Sequence, residues 1–150
     1  MKNILDFTTS HHQFYIADSE YVGDTGGDDF WTDNATSDRL AIAEDVLGVV
    51  TECYGHVNGE LNILDGVPEL KDFDLYDHVV EAGLVIRSGS LQVLDCPNNS
   101  VELDIKLNPG KYRVRIYSSN LDSVTDDDGD DYYTIEIWPD EHIERTVLKR

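Results

Sequence analysis

Long apolar runs are missing from this sequence. No stretch approaches the roughly 18 consecutive apolar residues that a membrane-spanning helix needs. The start of the chain, MKNILDFTTSHHQF, also lacks the uninterrupted apolar core of a secretory signal peptide. We therefore predict a protein that does not insert into membranes and that is located in the cytoplasm.

Basic residues are scarce. The sequence has 11 Lys and Arg against 31 Asp and Glu, a formal net charge of -20 at pH 7, and no Lys or Arg between Lys2 and Arg39. A second stretch, Asp122 to Asp131, is also free of basic residues. Such a surface repels nucleic acid and anionic membranes and attracts basic partners and cations. The charge excludes nucleic acid as a partner. A basic protein partner is one explanation of the acidic composition, and a requirement for solubility or an adaptation to high salt would explain it as well.

Cysteines and catalytic motifs are equally sparse. The only two cysteines, Cys53 and Cys96, belong to no C-x-x-C or Cys/His metal spacing, and we expect them to be reduced and buried. The sequence contains no G-x-S-x-G elbow, no H-E-x-x-H, no phosphate-binding Gly-Lys loop and no dinucleotide fingerprint. We therefore predict no enzymatic activity and no cofactor.

Two groups of residues have the composition of a metal site. His11 and His12 are adjacent, and neighbouring residues of a strand face opposite ways, so the pair is not expected to bind one metal. The acidic loop around Gly129 fails the spacing of an EF-hand, because Val124 and Ile135 occupy positions that require carboxylates. We predict no metal site, while a looser calcium site formed by Asp126, Asp128 and Asp130 stays open.

What the sequence does contain is alternation of apolar and polar residues with period two. Short segments of this kind are separated by turn dipeptides such as Asp65-Gly66 and Ser88-Gly89, a pattern typical of antiparallel sandwiches. Only Ser37 to Val46 suggests a short helix or turn. We predict one all-β domain spanning residues 1–150, a jelly-roll-like antiparallel β-sandwich with at most one short helix. The predicted strands are Gln13–Ala17, Val46–Cys53, Glu60–Leu64, His78–Arg87, Leu91–Leu94, Val101–Ile105, Tyr112–Ile116 and Tyr133–Ile137.

The alternation is clearest around Asn108-Pro109-Gly110. Val101 to Ile105 and Tyr112 to Ile116 flank this turn, and we predict that they form a hairpin. Lys111, Arg113 and Arg115 then project from one face as a basic stripe. We expect the stripe to pair with acidic neighbours, and an anion site is the alternative. The acidic candidates are Glu102, Asp104 and Glu136.

Aromatic residues lie within the first acidic stretch. Aromatic side chains beside carboxylates are suitable anchors for basic proteins. Trp31 has an equally plausible structural role as a core plug that fastens the loop. The predicted partner-binding residues are Tyr21, Asp24, Asp28, Asp29, Trp31 and Asp33.

A family resemblance rests on the order of several short motifs. They are His11-x-Gln13-Phe14, Trp31-Thr32-Asp33, Leu40-Ala41 and Pro109-Gly110-Lys111-Tyr112, followed by an acidic gap and a closing strand. In this order the sequence resembles the competence protein J (ComJ) family of DNA-entry nuclease inhibitors. It departs from that family in its longer acidic loops, Asp18 to Phe30 and Glu69 to Asp77.

The resemblance implies a small acidic β protein that binds and blocks a secreted or membrane-associated nuclease. Toxin immunity proteins would share these features, because carboxylates can occupy the positions that phosphates take in a basic cleft. We predict an inhibitor or immunity protein that binds a basic nuclease or toxin. The alternative is a jelly-roll module that binds a small ligand or carbohydrate, with calcium as a further component.

Overall fold

The computed structural model describes residues 2–150, whose strands form two stacked sheets. Sheet A has six strands in the order β1-β5-β10-β9-β6-β11, and sheet B has five in the order β3-β4-β2-β7-β8. Every pairing is antiparallel except the parallel pair of β5 and β10. The predicted all-β sandwich with little helix is confirmed. In chain order the strands are β1 (Lys2–Thr8), β2 (Gln13–Asp18), β3 (Leu40–Ile42), β4 (Val46–Val50), β5 (His56–Ile63), β6 (His78–Ile86), β7 (Ser90–Leu94), β8 (Val101–Lys106), β9 (Gly110–Ser119), β10 (Tyr132–Pro139) and β11 (Thr146–Lys149).

The main core lies between the two sheets. Alternate residues of a strand point to opposite faces, so β9 buries Val114 and Ile116 here while β2 buries Phe14 and Ile16 from the other side. The rings of Phe7 and Phe14 meet edge to face, with centroids 5.7 Å apart, and so join β1 of sheet A to β2 of sheet B. The alternation in the sequence therefore identifies the buried faces correctly.

The one α-helix within residues 2–150, α1 (Asp33–Asp38), begins earlier than predicted. The Thr32 hydroxyl caps it by accepting a hydrogen bond of 3.0 Å from the Ala35 N–H. It ends at Arg39, whose φ of 63° is left-handed. The prediction of a helix or turn over Ser37 to Val46 is wrong, because Leu40 enters the main core while Ala41 packs on the opposite face of sheet B. Burial on both faces requires the strand β3.

The predicted hairpin of Val101–Ile105 with Tyr112–Ile116 is also wrong. β8 pairs with β7 in sheet B, whereas β9 lies between β6 and β10 in sheet A. The connection around Pro109 crosses from one sheet to the other, and the Tyr112 hydroxyl donates a 2.6 Å hydrogen bond to the Asn108 carbonyl. Alternation reports that each segment has one buried face, but it does not specify the neighbouring strand.

The outer face of sheet A carries a buried ionic layer. Glu81 on β6 accepts hydrogen bonds from the Nε atoms of Arg113 (3.0 Å) and Arg115 (2.6 Å) on β9. Arg115 also lies 3.7 Å from Glu136 on β10 and stacks over the Trp138 ring at 4.7 Å. Pairing of the basic stripe is thus confirmed with Glu136. The main partner is Glu81, while Glu102 and Asp104 lie on β8 in the other sheet.

This ionic layer holds down two covering segments. The Arg113 Nη1 atom donates to the carbonyls of His142 (3.0 Å) and Glu144 (2.6 Å), which fixes the chain between β10 and β11. Glu136 lies 4.0 Å from the Lys71 ammonium of the β5–β6 connection. Burial raises the pKa of Glu136, and the nearby Lys71 and Arg115 oppose that rise.

The close packing of sheet A can be tested by substitution of a glycine. Gly59 on β5 pairs with Tyr133 of β10, and a Cβ added there would collide with the Tyr133 carbonyl oxygen. Because that oxygen belongs to a central strand, we expect Gly59→Ala to lower the free energy of unfolding by about 1–3 kcal/mol. Thermal denaturation followed by circular dichroism measures this. Gly66→Ala is the control, since no atom lies within 4 Å of its added Cβ, and an equal loss there would contradict the argument.

Candidate functional site

Each outer face of the sandwich is covered by an acidic segment. Residues 19–38, here called the N-terminal acidic segment, pack through Phe30 and Ala35 against Tyr15 and Ala17 on the outer face of sheet B. Residues 64–77, here called the β5–β6 loop, cover the outer face of sheet A. The two acidic loops seen in the sequence therefore lie over different sheets.

The aromatic residues of the N-terminal acidic segment point inward. Phe30 is buried and meets the partly buried Trp31 edge to face, with ring centroids 5.4 Å apart. Both rings rest on Gly48 of β4, where an added Cβ would lie 2.7 Å from Trp31 and 2.9 Å from Phe30. Trp31 thus has the structural role of a plug that fastens this segment to the sheet.

Tyr21 is also partly withdrawn from solvent. Burial, together with the nearby Asp45 carboxylate, raises the pKa of Tyr21. The structure therefore does not bring Tyr21 and Trp31 forward as free aromatic side chains beside the carboxylates.

The four carboxylates predicted to contact a partner are all exposed. Asp28, Asp29 and Asp33 are solvent-facing, and Asp24 folds back only far enough to accept a 3.0 Å hydrogen bond from the Gly26 N–H. They share one segment but carry no ion pair in the described part of the chain. They form an uncompensated acidic surface over sheet B.

Other carboxylates of the same stretch are structural. Asp18 is 2% exposed, and its Oδ1 accepts hydrogen bonds from Arg87 N (3.1 Å), Ser88 N (3.0 Å) and Ser88 Oγ (2.7 Å). Burial would raise the pKa of Asp18, but these hydrogen bonds outweigh it and lower the pKa below its ordinary value. Asp45 accepts from the Val22 N–H at 2.8 Å. These two carboxylates fix the beginning of the N-terminal acidic segment, a role that the charge pattern alone does not indicate.

Most basic side chains form ion pairs within the molecule. Nine of the 11 Lys and Arg residues lie within 4.0 Å of a carboxylate. The other two bind uncharged oxygens: Lys149 donates to the Phe73 and Tyr76 carbonyls, and Lys106 to the Ser90 hydroxyl. The remaining carboxylates are left without counter-charges, so the solvent-facing surface is acidic.

One end of the sandwich carries two tight turns. His11 and His12 both have positive φ (63° and 59°), as do Asp126 and Asp127 (51° and 66°). Each pair forms the two-residue loop of a short hairpin, a geometry that requires positive φ at both positions. The ring of Tyr54 contacts His12 edge to face at 5.2 Å. The histidines are therefore held in a turn and packed on an aromatic ring.

The acidic loop around Gly129 does not bring its carboxylates together. Asp128 approaches Cys53 Sγ (3.9 Å), while the Asp130 N–H donates to Ser123 Oγ (2.8 Å) and Asp126 lies at the tip of the turn. Across residues 2–150, no three His, Cys, Asp or Glu side chains are grouped so that they could hold a metal ion.

A surface cavity of about 510 Å³ opens beside the end of β6. Its volume is in the range of small-ligand sites. The charges at its rim are already paired: Arg87 with Glu44, and Lys111 with Glu141 at 3.6 Å. The residues that line it are Ile42, Ala43, Glu44, Gly83, Val85, Arg87, Lys111 and Ile143.

These features describe a β-sandwich with an acidic segment over each sheet, and comparison with solved structures finds the same fold in two proteins. One is ComJ from Bacillus subtilis, described as an inhibitor of the DNA-degrading activity of NucA, with a TM-score of 0.69 and 15% sequence identity over 93% of this chain and 99% of ComJ. The other is the product of crocagin biosynthetic gene J, with a TM-score of 0.57 and 19% identity over 94% of this chain and 99% of that protein.

The fold implied by the family resemblance is thus confirmed. Sequence comparison finds no matching protein-family profile and no significantly similar curated protein. Within residues 2–150 there is no helix of the length and apolar character needed to cross a membrane.

The structural role of Asp18 is testable by pH. Its pKa is lower in the folded state, so its stabilising effect is complete above the ordinary value of 3.8 and is lost as the pH falls through the folded pKa. We expect Asp18→Asn to lower the free energy of unfolding by about 1.5–3 kcal/mol at pH 7. Urea denaturation at several pH values should show this difference shrinking below pH 3.8.

The control is Asp24→Asn, which removes an exposed carboxylate from the same stretch. We expect it to change stability by less than about 0.5 kcal/mol at any pH. A wild-type advantage over Asp18→Asn that persists unchanged down to pH 2 would contradict the ionic role of Asp18.

Proposed function

We propose that this protein is a non-catalytic inhibitor that binds a basic nuclease and blocks its access to nucleic acid. The observation that carries the proposal is the fold shared with ComJ, an inhibitor of the NucA nuclease, over 93% of this chain. The immunity-protein role belongs to the same proposal, since a nuclease toxin would present the same basic surface.

The distribution of charge supports this function. Carboxylates outnumber cations by 31 to 11, and nine of the cations already lie within 4.0 Å of a carboxylate, so the excess negative charge rests on carboxylates without a basic partner. The free carboxylates can occupy the positions that phosphates take in a nuclease cleft. Such a surface also accelerates encounter with a basic protein and repels nucleic acid.

The exposed carboxylates of the N-terminal acidic segment contribute to this charge-driven encounter. Asp24, Asp28, Asp29 and Asp33 are fixed on a segment that Trp31 fastens to sheet B. In this proposal they act on the rate of encounter, through the long-range field of uncompensated surface charges. A cytoplasmic location for the protein is part of the same proposal.

The alternative of a small-ligand module rests on the 510 Å³ cavity beside β6. Its lining contains no aromatic side chain, and the Arg87 and Lys111 charges at its rim are already neutralised by glutamates. The cavity thus offers no unpaired cation to a ligand, whereas the outer surface offers unpaired carboxylates to a partner. This contrast favours protein binding over small-ligand binding.

The test is capture followed by inhibition. The immobilised protein is exposed to lysate of the source organism, and the captured basic proteins are assayed for degradation of plasmid DNA. We expect a captured nuclease to lose its activity with excess inhibitor, and association to slow as salt increases, because exposed charges are screened. Recovery of no nuclease, or of one that stays fully active, would contradict the proposal.

A matched pair of variants separates charge from packing. Neutralising the four carboxylates of the N-terminal acidic segment to Asn should reduce the association rate and its salt dependence without loss of stability. Trp31→Ala should lower the free energy of unfolding, because Trp31 packs on Gly48. The free energy of binding to the nuclease, measured on the folded protein, should change by less. A large loss of affinity in a Trp31→Ala protein of normal stability would instead identify Trp31 as a contact residue.

A further inference from the structure

Exposed large apolar side chains are concentrated in the β5–β6 loop. Among residues 2–150, seven large hydrophobic residues are exposed, and three of them, Val67 (68%), Leu70 (56%) and Leu75 (69%), belong to this loop. Single exposed apolar residues are ordinary, whereas several in one loop mark an interaction surface. The N-terminal acidic segment has only Val22 of this kind, because its large aromatic residues are turned inward.

The same loop carries free carboxylates between its apolar side chains. Asp65, Glu69 and Asp74 are exposed, and none of them forms an ion pair within the described residues. Its one cation, Lys71, lies against the buried Glu136 at 4.0 Å. The loop therefore presents apolar and negative groups, which complement a basic surface with apolar positions.

The loop is fixed despite having little regular structure. The Lys71 N–H donates to the Tyr117 hydroxyl at 3.2 Å, and the Lys149 ammonium donates to the Phe73 and Tyr76 carbonyls, both at 2.7 Å. The Tyr76 ring packs on Tyr117 with centroids 4.7 Å apart. A backbone held in this way loses little conformational entropy on binding, so its exposed side chains contribute more of their contact energy to affinity.

We propose that the β5–β6 loop is the surface that docks onto the basic face of the target, with Leu70 and Leu75 as its apolar anchors. This inference rests on the proposed function and assigns the contact to the outer face of sheet A. Glu69 and Asp74 flank the anchors and face the partner's cations. The N-terminal acidic segment, over sheet B, lies outside this contact.

The first experiment compares two triple variants of equal charge. One changes Val67, Leu70 and Leu75 to Ala. The other changes Ile4, Val22 and Val101, which are 65%, 88% and 52% exposed elsewhere, to Ala. Inhibition constants are measured on the captured nuclease, and thermal denaturation verifies folding. We expect about 30-fold weaker inhibition for the loop variant, the size of a hot-spot loss, and less than about threefold for the other.

The second experiment removes two negative charges from one face or from the other. Glu69→Gln with Asp74→Asn is compared with Asp28→Asn and Asp29→Asn, and association rates are measured at low and physiological salt. We expect the loop pair to slow association by about threefold to tenfold at physiological salt and the other pair by less, because screening there confines charge effects to within about 8 Å. At low salt, where charges act over longer distances, the two pairs should differ less.

The outcomes separate the two proposals. If the wild-type protein inhibits no nuclease, the proposed function fails and the docking surface fails with it. If the wild-type protein inhibits and both triple variants inhibit equally well, only the docking surface is overturned. A larger effect of the Asp28 and Asp29 pair would place the contact on the N-terminal acidic segment and would also overturn it.

Discussion

The pairing of Glu81 with two arginines is the interaction on which the outer face of sheet A and its covering segments depend. Arg113 and Arg115 alternate with core residues on β9 and must lie on the outer face of sheet A, where both are almost fully buried. Burying two guanidinium groups is costly unless nearby carboxylates balance their charges. Glu81 on the adjacent strand supplies one carboxylate to both, and Glu136, 3.7 Å from Arg115, supplies the second. The carbonyls of His142 and Glu144 supply further acceptors, which fixes the chain leading to β11.

This arrangement also determines the character of the surface. Each arginine or lysine that pairs with a carboxylate cancels one negative charge, and the chain has only 11 such residues against 31 Asp and Glu. Carboxylates divide in the same way: Asp18 and Asp45 are buried hydrogen-bond acceptors that fix loops, while Asp28 and Glu69 face solvent. Composition therefore sets the excess of negative charge, and the packing determines which carboxylates present it to solvent.

The sequence allowed the buried faces to be predicted better than their partners. Alternation correctly placed Val114 and Ile116 in the core, because side-chain period depends only on which face of a strand is buried. It wrongly joined β8 to β9, since a turn such as Asn108-Pro109-Gly110 can also carry the chain from one sheet to the other. The short strand β3 was mistaken for helix because three residues are too few to establish a period. β1 and β11 were missed, although Leu5 and Phe7 of β1 alternate.

The candidate site was harder to predict, for a related reason. Composition shows that Trp31 lies among carboxylates, but only the position of Gly48 reveals that the indole ring faces the sheet. Conversely, nothing in the sequence distinguishes Leu70 and Leu75 from ordinary hydrophobic residues. The structure shows that the loop is held by its backbone and by Lys71, and that these two leucine side chains stay exposed. A loop that anchors itself by polar groups leaves its apolar groups free. That inversion of the usual division between core and surface singles out the β5–β6 loop among the acidic segments of this fold.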